Sequence, residues 1–267
     1  MSKAQKSFNL DSNTKGWRIY KLKDVEKTIV ARKGGPSAEQ IKTSPSYKEL
    51  RGNQSEFGAA SALAKVLRMT LPKPMQDICE SYVSGKLTGA FRQLAQEHDG
   101  VPGTRPILLS KYGHKLEGFN FHNKYQFSEV FRPKIYAKAS SDRGKMLLHF
   151  SSYIPEDTIL APKGSTHFRL FAHTVLLSDY FNEEGTEIHR PVHQNWQGKF
   201  HTYESIMHPL CKVPLEPMTA QLSVLEYENI PFRTGLILLV GIRFYQQLNN
   251  DFIDIEKGNS MQILKVF

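Results

Sequence analysis

The chain has 267 residues, 40% of them hydrophobic and 23% charged, with a formal net charge of +9 and a pI near 9.4. Those proportions are ordinary for a globular protein and exclude wholesale disorder. Two cysteines, Cys79 and Cys211, exclude a disulfide-built scaffold and read as reduced thiols in or near the core.

The charge is uneven. Residues 1–90 hold 16 Lys and Arg against 8 Asp and Glu, a net of +8, while residues 91–267 hold 19 against 18. A positive excess confined to one end calls for an acidic partner there, such as nucleic acid.

In chain order, residues 1–15 are polar and lysine-rich and are expected to be a flexible tail. Gly16–Leu22 and Lys27–Lys33 are β-prone and separated by Lys23-Asp24-Val25-Glu26, which predicts a hairpin. Gly34-Gly35-Pro36 ends it. Ser37 is then placed to cap a short helix by accepting from the backbone of Glu39 or Gln40, and that helix should stop before Ser44-Pro45. Ser46 with Glu49 reads as a capping box for the next helix. Phe57, Ala60, Leu63, Leu67 and Leu71 recur at helical spacing, and a further helix is expected from about Pro74 to Glu97.

From His98-Asp99-Gly100 the texture changes to short apolar runs between turn residues. The expected strands are Ile107–Leu109, Phe119–Phe121, Ile135–Ala139, Met146–Phe150, Phe168–Leu176, Lys199–Tyr203, Ala220–Tyr227, Gly235–Gln247 and Met261–Phe267. The class is therefore α+β. A basic hairpin and helical module over residues 16–98 precedes an antiparallel β-sandwich-like domain over residues 99–267.

No apolar core follows Met1-Ser2-Lys3 as in an export signal, and the longest apolar run, Leu236–Ile242, is far shorter than a membrane span. The expected compartment is the cytoplasm, with no membrane span.

The chemical motifs are sparse. No nucleophile elbow, Walker loop or dinucleotide fingerprint is present, and no cofactor is implied. Among ten histidines, His189 and His193 are four apart, with His201 eight further on, and could ligate a metal. Helical zinc ligation needs the same spacing with a glutamate after the first histidine. Here Pro191 lies between the pair, at a cost of about 3 kcal/mol in a helix, so only a strand or loop could present them together.

The stronger lead is basic. Arg18, Lys21, Arg32 and Lys33 lie on or beside the hairpin, and Lys42, Lys48 and Arg51 follow, with Trp17, Tyr20 and Tyr47 among them. Cations mixed with aromatic rings suit a phosphate backbone with base stacking.

Arg32-Lys33-Gly34-Gly35-Pro36-Ser37, with Asn53-Gln54-Ser55-Glu56-Phe57-Gly58 and Ala161-Pro162-Lys163-Gly164-Ser165-Thr166-His167-Phe168 further on, resembles a family of uncharacterised bacterial proteins. The resemblance implies a basic helical opening before a β-rich remainder, and carries no activity, cofactor or site. The first expectation is a non-enzymatic binding or assembly protein with an acidic partner. The alternatives are a structural component of a phage-like or secretion-linked particle, and a metal-dependent enzyme using His189 and His193.

Overall fold

A computed structural model describes residues 17–21, 28–32, 34–183, 186, 188–224 and 229–267. The expected tail, Lys33 and the end of the predicted strand at Leu225–Tyr227 lie outside the described residues.

The chain divides into two compact units, residues 1–48 and 49–267. In the first, β1 (Trp17–Lys21) and β2 (Thr28–Arg32) form the antiparallel hairpin, with Ile19 opposite Val30. Helix α1 (Ala38–Thr43) follows. Ser37 caps it as expected: its hydroxyl accepts from the Gln40 N–H at 3.1 Å, and its own N–H donates to Gln40 Oε1 at 2.8 Å. This reciprocal box satisfies two otherwise orphaned donors, which lets a six-residue helix persist although it buries no residue. Ser46 lies within a 3-10 turn, Pro45–Tyr47, that runs straight into α2 (Lys48–Thr70).

In the second unit come α3 (Lys73–Gln76), α4 (Val83–Gln96), α5 (Leu109–Tyr112) and α6 (Phe127–Val130). Strands β3 (Ile135–Ala139) and β4 (Lys145–Phe150) precede the one-turn helix α7 (Pro155–Thr158). Then follow β5 (His167–Ser178), β6 (Tyr180–Asn182), β7 (His189–Pro191), β8 (Phe200–Glu204), β9 (His208–Pro209) and β10 (Met218–Ser223). The long hairpin β11 (Thr234–Leu248) and β12 (Asp251–Val266) closes the chain.

All pairings are antiparallel. The central sheet has the order β12-β11-β5-β8, with β9 also on β5; a small sheet has the order β10-β4-β3, and β6 pairs β7. The central sheet carries cores on both faces. Alternation decides which residue serves which. Phe171, Val175, Leu177, Ile237 and Leu239 join the helical residues Leu63, Leu67, Leu87, Phe91 and Leu94. Phe168, Leu170, Leu176, Leu238 and Phe244 meet Met146, Leu148, Phe150, Ala220 and Leu222 of the small sheet. The two sheets make the expected sandwich, within an α+β fold.

The division differs from the expected break after residue 98. Helices α2 and α4 share a core with the central sheet, because each carries an apolar stripe that a five-residue-stranded hairpin is too small to bury. The runs at 107–109 and 119–121 supply only single bridges, Ile107 to Tyr180 and Asn120 to Gln262. Conversely, β12 begins ten residues before the predicted Met261. Its first half is mostly exposed, so no burial pattern marks it; the Asn249-Asn250 turn, with Asn249 at φ 56°, pairs Leu248 with Asp251.

Candidate functional site

The basic residues of the leading unit are carried by its backbone elements. Arg18 and Lys21 lie on β1 opposite Ala31 and Thr28, and Arg32 on β2 opposite Trp17. Lys42 is exposed in the last turn of α1, where a cation complements the helix dipole, and Lys48 is exposed at the unit's end. Arg51 belongs to the second unit, half-buried in the first turn of α2. Residues 1–48 hold 11 Lys and Arg against 4 Asp and Glu, a net of +7 out of +9. The second unit, with 24 against 22, is close to neutral.

The three candidate metal ligands are not brought together. His189 Nε2 lies 2.9 Å from the Arg105 carbonyl, which can only accept, so this nitrogen carries the proton. Nδ1 then accepts from the Ser55 hydroxyl at 2.9 Å, and Ser55 Oγ accepts from the His189 N–H at 3.1 Å. Next to Ser55, the Glu56 carboxylate accepts from Arg105 Nη2 at 2.7 Å and from the Gly103 N–H at 2.7 Å, with only 1% of its side chain accessible. Gly103 has φ +91°, and a Cβ on it would stand 2.5 Å from the Gly52 carbonyl carbon, so only glycine lets the loop cross α2 this closely. A serine hydroxyl beside an imidazole can be a nucleophile with its base. Here His189 is 9% exposed and its outer nitrogen is tied to a carbonyl, so the cluster staples α2, the 103–105 loop and β7 together.

His193 Nε2 donates to the Phe232 carbonyl at 2.8 Å. His201, on β8, lies beside His173, and its Nδ1 is buried without a partner among the described residues. Among the described residues, no three His, Cys, Asp or Glu side chains are grouped to hold a metal.

A further polar core residue is His173, fully buried on β5. Thr70 already donates to the Leu67 carbonyl, so its oxygen accepts from His173 Nε2 at 3.1 Å, and the Thr202 hydroxyl donates to Nδ1 at 2.8 Å. Burial, reinforced by nearby His201, lowers its pKa to about 4 and keeps the ring neutral. Cys79 is half-buried, and burial pushes its thiol up to about 11, away from nucleophilic character.

Two open grooves mark the second unit's surface. One, of about 610 Å³, runs along the sandwich edge and is lined by Tyr203, Ile206, His208, Leu215 and Met218. Another, of about 450 Å³, has a mixed lining that includes Lys86, Ala90, Gln93, Phe119, Asn120 and His122.

The outer face of the small sheet carries exposed Tyr136, Lys138, Lys145, Leu147 and His149. The period-two reading of Ile135–Ala139 already puts Tyr136 and Lys138 on one side. Only the packing of Met146, Leu148 and Phe150 against the central sheet shows that this side meets solvent. Among the described residues no helix is long and apolar enough to cross a membrane. No protein-family model, no curated protein and no solved structure matches this chain.

Proposed function

We propose that the protein is a non-enzymatic binding protein whose basic leading unit contacts an acidic macromolecule, with nucleic acid the first candidate. The observation that supports this reading is the concentration of charge: a net of +7 in the first 48 residues, followed by a larger unit that is close to neutral. Lysines on so small a unit form an attractive field that the rest of the chain does not cancel, and phosphates would release counterions on meeting it.

The test is binding of the full chain to labelled single- and double-stranded DNA and RNA over a salt series. Affinity should fall linearly on a log–log plot against salt. Replacing Lys42 and Lys48 with Gln should flatten the slope by roughly 0.7–0.9 per lysine. Absence of salt-dependent binding at low ionic strength removes nucleic acid as the partner.

A second reading, a component of a larger assembly, is supported by the end of the β11–β12 hairpin, where Leu248 and Ile253 are exposed on one face and Phe252 on the other. Light scattering over a concentration series should then show species larger than one chain, and Phe252→Ser with Ile253→Ser should abolish them.

A further inference from the structure

We infer that the outer face of the small sheet is a platform for single-stranded nucleic acid, on which Tyr136 and His149 stack bases while Lys134, Lys138 and Lys145 take phosphates. This inference stands on the second unit alone and does not require the leading unit to bind anything.

The geometry is set by the core. Met146, Leu148, Phe150, Ala220 and Leu222 point inward, which leaves Tyr136, Lys138, Lys145, Leu147, His149, Thr219 and Gln221 pointing out. The register aligns Tyr136, His149 and Thr219 in one row across the three strands, and Lys138, Leu147 and Gln221 in the next. Tyr136 is 57% exposed, and its ring lies 6.4 Å from that of His149, tilted by 32°. His149 is held in place by Thr219, with Nδ1 3.2 Å from Oγ1. Exposed Lys134 precedes Tyr136 by two residues and Lys138 follows it by two, so each lies roughly 6–7 Å along the strand from the ring. Leu147, 48% exposed, extends the apolar surface beside the rings.

The charges identify the ligand as anionic. No outward position of β3, β4 or β10 holds an Asp or Glu. Elsewhere the same protein neutralises sheet cations across strands: Arg169 meets Glu204 at 3.3 Å, and Arg243 meets Asp254 at 2.6 Å. The lysines of the small sheet have no such ion pair among the described residues. The β3–β4 turn does bring Asp142 near Lys145, but its carboxylate is engaged by the Ser140 hydroxyl and the Gly144 N–H.

The rings narrow the class further. An acidic peptide would satisfy the lysines and leave Tyr136 and Leu147 against water. A duplex keeps its base faces stacked internally. An unpaired strand offers both phosphates and open base faces, and base–aromatic stacking is worth about 1–3 kcal/mol per base.

The full chain should be titrated with a labelled oligothymidine, with the matching duplex, and with polyglutamate as competitor. The single strand should bind more tightly than the duplex and resist polyglutamate. Tyr136→Ala should weaken it about tenfold without changing the salt slope, and Tyr136→Phe should restore it. Lys138→Gln and Lys145→Gln should each reduce the slope by roughly 0.7. These positions are exposed, and an unchanged thermal melt confirms the fold of each variant. Equal binding of duplex, effective competition by polyglutamate, or unchanged affinity in Tyr136→Ala overturns the platform. If binding responds to Lys42→Gln and Lys48→Gln but not to the sheet variants, the leading unit binds and the platform does not.

Discussion

On one face of the central sheet, α2 and α4 lay an apolar seam whose ends are tied by buried polar groups; on the other, the small sheet lays a seam organised around aromatic rings. Helix α2 is rich in small residues, with Gly52, Ala59, Ala60 and Ala64 toward the core. Smooth helix faces specify position weakly, and directional bonds supply what shape does not. Near one end Glu56 grips Arg105 and Gly103, and at the other Thr70 meets His173. On the opposite face Phe131 stands within 6.1 Å of three rings, stacked on Phe127 and edge-on to Phe150 and Tyr153. Interlocking rings fix their own arrangement by shape and quadrupole. The same sheet thus uses polar specification where its partner is a helix, and steric specification where its partner is another sheet.

The largest effect expected from breaking this contrast is at Arg105. Arg105→Ala would leave the Glu56 carboxylate uncompensated in the core, at a cost of about 3–5 kcal/mol by urea unfolding. Replacing both partners together, Glu56→Met with Arg105→Leu, should cost much less than Arg105→Ala alone; a double variant as unstable as the single one would show that the pair does more than locate the helix. On the opposite face, Leu148→Ala should cost about 3 kcal/mol, with no pH dependence of its own.

The next effect is pH-dependent. His173 has a folded pKa of about 4, below its ordinary value of about 6.5. The unfolded chain therefore takes up the proton first. Stability from this group is complete above about pH 6.5 and is lost as pH falls toward 4, by about 3 kcal/mol in order of magnitude. Comparing denaturation at neutral and mildly acid pH should show the loss, and His173→Gln should reduce it. The smallest effect is expected at Ser55, where Ala removes both hydrogen bonds to His189 for about 1–2 kcal/mol, measured by the shift in denaturation midpoint.

Part of this architecture is legible locally. The β1–β2 hairpin, the Ser37 cap and strand β3 each depend on neighbouring residues, through turn chemistry, side-chain reach and period two, and the structure places them where those signals point. The start of β12 is not legible, because Asp251 and Asp254 pair with β11 without being buried. Nor is the fate of the histidines: spacing places His189 near His193, but a carbonyl 84 residues away in sequence takes one ring nitrogen of His189, and a different one takes His193.

The sequence by itself determined the α+β composition, the alternation of each strand and the gathering of positive charge in the first 90 residues, because these follow from residue type and local spacing. The tertiary structure alone decided that α2 and α4 belong with the sheet and not with the hairpin, and that Tyr136 and Lys138 face outward. Periodicity tells which side chains share a face. Which face is covered depends on apolar area supplied from elsewhere in the chain, and no local window contains that information.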